Sequence, residues 1–109
     1  MLIDNKPMCS CLVLVAALGE VDVLTVEGLA KGDNLTDLQD AFLEHDAVHC
    51  GFCTPGLLMS AEALLQRNPS PTEHEIREAI SGNLCRCTGY VQVVEAIQDA
   101  AERRRTQHT

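Results

Sequence analysis

Cys50-Gly51-Phe52-Cys53-Thr54 and Cys85-Arg86-Cys87-Thr88 decide how this chain is read. Each stretch closes on Cys-Thr, each follows a segment with helical apolar spacing, and each runs straight into another such segment. The repetition implies two half-sites that face one ion or cluster.

The flanks of both pairs carry explicit helix signals. Before the first pair, Thr36 and Gln39 have capping-box spacing, and Leu35, Leu38, Phe42 and His45 recur on one face, which predicts a helix from about Asp37 to His45. After it, Thr54-Pro55 reads as an N-cap followed by proline, and Leu57, Leu58, Ala61, Leu64 and Leu65 carry a second helix to about Arg67. Asn68-Pro69-Ser70-Pro71 ends it. Thr72 and Glu75 repeat the capping box, and Ile76, Ala79 and Ile80 mark a third helix as far as Ile80 or Ser81. The second pair follows Ser81-Gly82-Asn83. Thr88 then caps a fourth helix with Tyr90 or Val91, Val94, Ile97 and Ala101 on its apolar face, fraying over Arg103-Arg104-Arg105-Thr106. The three arginines read as complements to the helix dipole.

The expected fold is therefore mainly α: a four-helix bundle with pseudo-twofold symmetry over residues 32–109, with both cysteine loops at one end. Residues 1–31 read as a short β-containing segment and linker. Leu2-Ile3 precedes a turn at Asp4-Asn5-Lys6-Pro7, and Val21, Val23, Leu24, Thr25 and Val26 make a β-branched run broken by Gly28 and Gly32-Asp33-Asn34.

Composition limits what such a chain does. At 109 residues, 46% hydrophobic but 3% aromatic and without tryptophan, it has one small core of Leu, Val, Ile and Ala. A formal charge of −8 argues against nucleic-acid or anionic-membrane partners. No run reaches the ~20 apolar residues of a membrane span, and no basic leader precedes an apolar one, so a cytoplasmic location without membrane insertion is expected. Six cysteines there point to metal or redox chemistry. No nucleophile–base–orienter set and no phosphate loop is visible, so no substrate chemistry is expected on this chain.

Close pairs let two thiolates of one loop reach one metal centre, and two loops complete a sulfur shell. Four thiolates suit tetrahedral zinc as well as iron and sulfide, and disulfides are a third option. Zinc pairs usually carry roughly two to four residues between cysteines, so the single residue between Cys85 and Cys87 leans toward a two-iron centre. Cys53 and Cys87 each precede a helix start, where unpaired N–H groups favour thiolate. Gly51 and Gly89 permit the positive φ that lets backbone wrap a cluster.

Cys50-Gly51-Phe52-Cys53-Thr54-Pro55-Gly56, then Asn68-Pro69 and Pro71-Thr72, then Ser81-Gly82-Asn83-Leu84-Cys85-Arg86-Cys87-Thr88-Gly89-Tyr90, resembles the C-terminal [2Fe-2S] domain of the xanthine oxidase family of molybdenum hydroxylases. More narrowly, it resembles their separate iron-sulfur small subunits, of the aldehyde, carbon monoxide, isoquinoline and nicotinate type. The resemblance runs from about residue 9 to residue 101. It implies that Cys50, Cys53, Cys85 and Cys87 ligate one [2Fe-2S] cluster, the one nearest a molybdopterin on a large partner subunit. It further implies an electron relay from that centre toward a second cluster or an FAD-binding medium subunit. The alternative is a zinc-stapled or cluster-free interaction module, a decayed or truncated subunit.

The chain departs from the family pattern at three places. Cys11, in Ser10-Cys11-Leu12-Val13-Leu14, stands where a preceding plant-type ferredoxin domain has its fourth ligand, but the other three are missing, so the chain looks N-terminally truncated and limited to one cluster. His49 stands where the family has a glutamine that contacts the pterin; it reads either as a pterin contact or as an ordinary histidine at a subunit surface. Cys9 matches no family ligand and reads as a small semi-buried side chain, since pairing with Cys11 at i, i+2 is sterically poor.

Overall fold

The structure, a computed structural model, describes residues 1–32, 34–84 and 90–107, and of Gln107 only the backbone. Helix α1 (Asp37–Glu44) opens on a complete capping box. Thr36 is extended at φ −72°, ψ 165°; its Oγ1 accepts from the Gln39 amide at 3.2 Å, and Gln39 Oε1 accepts from the Thr36 amide at 2.9 Å. Helix α3 (Glu73–Ala79) repeats this with Thr72 and Glu75 at 3.2 and 3.0 Å. The two short helices also end alike, on C-cap residues His45 (φ −94°, ψ 11°) and Ile80 (φ −95°, ψ 2°).

The long helices are α2 (Thr54–Arg67) and α4 (Val91–Gln107). Short and long helices thus alternate, with 8, 14, 7 and 17 residues. Helix α1 lies mainly against α4, and α3 touches both α2 and α4. Asn68, the C-cap of α2, donates from Nδ2 to Glu75 at 2.8 Å and so ties the end of α2 to the start of α3.

Two helix ends differ from expectation. Cys53, not Thr54, is the N-cap of α2, with Thr54 and Pro55 already in the first turn. A proline there loses nothing, because first-turn amides have no intrahelical acceptor. At the other end α4 does not fray over residues 103–106 but continues to Gln107. Its arginines are tied across the fold: Arg103 to Glu44 and Asp99, Arg104 to Asp37 and Glu62, Arg105 to Ser70. The Thr88 cap expected for α4 lies outside the described residues.

The N-terminal part forms a small antiparallel sheet in the order β2-β1-β3, with β1 (Leu2–Ile3), β2 (Lys6–Pro7) and β3 (Val23–Leu24). Only Asp4 and Asn5 form the hairpin turn, at φ 49° and 68°, the left-handed pair of a two-residue hairpin loop that aspartate and asparagine tolerate. Lys6 and Pro7, expected in the turn, pair with β1 instead, and Pro7 sits on an edge strand that needs no further donor.

One hydrophobic cluster joins Leu2 and Leu29 to Leu38 and Phe42 of α1, Leu57 and Leu64 of α2, Ile76 of α3 and Val94 and Ile97 of α4. Most of the predicted apolar faces are buried, but His45 and Ala79 are only half-buried and Leu35, ahead of the cap, is exposed. At the head of α4 it is Tyr90 that packs on the core, while Val91 faces outward.

Candidate metal centre

The turn after α1 sets the first cysteine pair. His45 closes the helix by donating its amide to Ala41 at 3.0 Å, Asp46 takes φ +53°, and Ala47 returns its amide to Phe42 at 2.9 Å. Ala47 is fully buried and Val48 packs against the core, so the chain that follows is anchored before it reaches Cys50. Gly51 then adopts φ +89°, a conformation that only glycine takes without strain. Cys53 is half-buried against the core at the N-terminus of α2, where its carbonyl accepts from the Leu57 amide at 3.1 Å; Cys50 is exposed. Phe52, between them, is 91% exposed.

His49 is exposed beside Cys50, with Nε2 3.1 Å from the Asp46 carbonyl. A carbonyl only accepts, so Nε2 carries the proton and donates. Cys85, Cys87 and Gly89 lie outside the described residues. The residues on either side of them are described, and they are tied together. The Tyr90 hydroxyl donates to the Asn83 carbonyl at 3.0 Å, and Tyr90 holds φ +74° before its carbonyl accepts the Val94 amide of α4. Asn83 in turn donates from its amide to Ile80 O at 2.9 Å and from Nδ2 to Ser60 Oγ of α2 at 2.9 Å.

This Asn83 link was not foreseen, because Asn83 reads in the sequence only as a turn residue. Gly56 was the available signal: helix propensity disfavours glycine in a first turn, yet here a Cβ would overlap Asn83 Oδ1. Cys9, expected to be semi-buried, is exposed, as is Cys11. The 3-10 turn Ser10–Leu12 contributes no buried residue, so nothing draws Cys9 inward.

Two soft cysteine sulfurs on one short loop, ahead of a 14-residue helix, with a glycine between them at positive φ, fit one half of a sulfur-ligated cluster site. Thr54 Oγ1, in the residue after Cys53, is buried and has no hydrogen-bond partner among the described residues, so this turn holds an unused hydroxyl donor. Among the described residues no three His, Cys, Asp or Glu side chains gather at metal-binding spacing.

Residues 25–98 match the [2Fe-2S] binding domain, a span that holds Cys50, Cys53, Cys85 and Cys87. The chain belongs to that family. It is 46% identical over 100 residues to the nicotinate dehydrogenase small FeS subunit of Eubacterium barkeri, covering 92% of this chain and 64% of that protein. It is 54% identical over 99 residues to the nicotine 6-hydroxylase small subunit of Paenarthrobacter nicotinovorans, covering 91% and 59%. The crystal structure of quinoline 2-oxidoreductase from Pseudomonas putida 86 superposes with a TM-score of 0.90 at 48% identity, over 99% of this chain and 68% of that one. The chain thus spans less than two thirds of these two curated relatives. For this [2Fe-2S] binding domain, iron and sulfide are favoured over zinc, in agreement with the resemblance carried by the two cysteine motifs. Among the described residues no helix is long and apolar enough to cross a membrane.

Proposed function

We propose that the chain is a one-electron relay built around a single [2Fe-2S] cluster held by Cys50, Cys53, Cys85 and Cys87. The observation that carries this is the match to the [2Fe-2S] binding domain over residues 25–98, within which all four cysteines fall. A bound cluster of this type supplies reversible one-electron transfer. The chain contributes four thiolates, amides at the N-terminus of α2 that favour the ionised sulfur, and a protein wall that limits water on one side.

The relay accepts electrons from a molybdopterin centre on a large partner subunit and passes them toward a second cluster or an FAD-binding subunit. Support comes from the names of the relatives, which include small FeS subunits of a nicotinate dehydrogenase and a xanthine dehydrogenase. Exposed apolar side chains next to the cysteine segments, Phe52, Leu84 and Val91, suit a surface that a partner covers. His49 belongs to the same edge, and we assign it to the partner-facing rim of the site, within reach of the pterin. Substrate oxidation takes place on the partner, in the cytoplasm.

The architecture in this proposal is a four-helix bundle with pseudo-twofold symmetry over 32–109, following a ferredoxin-like β segment over 1–31. It is supported by the alternation of short capped helices with long ones and by the near-identical C-cap angles at His45 and Ile80. The test is iron and acid-labile sulfide analysis with a visible spectrum of anaerobically reconstituted protein. About two irons and two sulfides per chain, with a red-brown spectrum lost in Cys53→Ser and Cys87→Ser, are expected. One zinc without sulfide would instead make the chain a stapled interaction module.

A further inference from the structure

We propose that Asn83 is a positioning residue which sets the separation between the two cysteine-bearing segments. This rests on the four-cysteine cluster reading and adds to it the device that keeps two separate thiolate pairs in register. Cys53 leads directly into α2, and Cys85 and Cys87 lie within 84–89, so whatever joins α2 to both ends of 84–89 joins the half-sites.

Asn83 makes that join from three directions. Its amide donates to Ile80 O at 2.9 Å, which fixes it to the end of α3. Its carbonyl accepts from the Tyr90 hydroxyl at 3.0 Å, which ties the residue before 84–89 to the residue after it. Its Nδ2 donates to Ser60 Oγ at 2.9 Å, which ties both to α2. The carboxamide lies against bare backbone at Gly56, three positions after Cys53, with Cγ 3.5 Å from where a Cβ would stand and Oδ1 closer still. A side chain at 56 would push Asn83 away from the head of α2. Tyr90 holds φ +74°, which a tyrosine seldom adopts, so its hydroxyl bond works against a backbone preference to open. These bonds are partly buried, where loss of one partner leaves the other unsatisfied.

Ser60→Ala removes the α2 end of the link without touching either cysteine segment, and alanine suits a helix interior. Asn83→Ala removes the whole carboxamide, its bond to Ser60 and its contact at Gly56 together, and leaves the backbone bonds to Ile80 O and the Tyr90 hydroxyl in place. Ser81→Ala is the control, since among the described residues Ser81 Oγ bonds only its own turn at Glu78 O, 2.8 Å away. The full chain is reconstituted anaerobically with ferrous iron and sulfide; helix content, the rate of iron loss to a chelator, and the g values of the reduced cluster are then measured. In Ser60→Ala, iron loss is expected to be about tenfold faster, the consequence of one shielded hydrogen bond. Its g values should shift at unchanged helix content, Asn83→Ala should change both further, and Ser81→Ala should match wild type. Wild-type kinetics and g values in Ser60→Ala overturn the positioning role while leaving the cluster assignment standing. Wild-type protein that takes up no sulfide overturns the cluster assignment, and the positioning role with it.

Discussion

Arg104 Nε donates to both carboxylate oxygens of Asp37, at 3.0 and 2.8 Å, across 67 residues of sequence. Its Nη2 donates to Glu62 Oε2 at 2.6 Å, so one guanidinium ties α1, α2 and α4 together. Burial opposes the charge on Arg104, yet the hydrogen bonds to Asp37 and Glu62 outweigh it and the pKa is raised. Removing this cation strands two largely buried carboxylates. Arg104→Ala is therefore expected to lower unfolding stability by about 3 kcal/mol, at the low end of the range for a broken buried pair. Arg105→Ala, which loses only a surface bond to Ser70, should change it by less than about 0.5 kcal/mol. Urea midpoints of the cluster-free chain, read from the helix signal, separate the two.

A second ion pair gives the fold an acid limit. His45 Nε2 lies 2.9 Å from Asp99 Oδ2, and Arg103 Nη2 lies 2.8 Å from the same oxygen. The Asp99 carboxyl is held below its ordinary value of 3.8, first by the hydrogen bond from His45, against burial, and then by the charge of Arg103. A depressed folded-state value means stability that is fully present above 3.8 and lost as pH falls through the lower, folded value. The melting-temperature gap between wild type and Asp99→Asn should thus stay constant above about pH 5 and narrow below it. Glu75, lowered chiefly by the backbone bond from Thr72, titrates in the same direction but is common to both proteins and cancels. A gap that widens on acidification would contradict the assignment.

These two clasps mark the limit of what could be read from the sequence. Thr36, Gln39, Thr72 and Glu75 announced their helices because a capping box is complete within four residues, and Leu57 through Leu65 announced a buried face by period alone. The arginines gave no such signal: Arg104 meets Asp37 and Glu62 only after α1, α2 and α4 have packed, and locally the run looks like a helix tail. The pairing of Leu2 with Leu24, which places Leu2 in the core, is likewise a long-range event that two-residue strands cannot advertise. Of the site, the thiolate pair and its helix were legible, whereas Asn83, acting through Gly56 and Ser60 on another helix, was not.

Gly51 should matter through its backbone and not through space. Among the described residues a Cβ at Gly51 meets nothing within 4 Å, and the same holds at Gly82, but of the two Gly51 alone has positive φ, at +89°. Gly51→Ala is expected to destabilise the loaded protein by about 1 to 2 kcal/mol through strain between the first two cysteines. Gly82→Ala should stay within about 0.5 kcal/mol of wild type. Chelator-driven loss of the visible spectrum is the measurement, and equal effects from the two variants would place the cost elsewhere.

Thiol labelling distinguishes ligation from burial at the same residues. Cys9, Cys11 and Cys50 are all exposed, so in the cluster-free chain a small alkylating reagent should reach each of them. Thiolates committed to iron are no longer available as nucleophiles. In reconstituted protein Cys9 and Cys11 should still label fully while Cys50, exposed in the cluster-free chain, becomes protected by ligation. The double variant Cys9→Ser, Cys11→Ser should keep about two irons per chain and the wild-type spectrum. Labelling of Cys50 at the same rate before and after reconstitution would remove Cys50 from the ligand set, and loss of iron in the double variant would bring the N-terminal thiols into it.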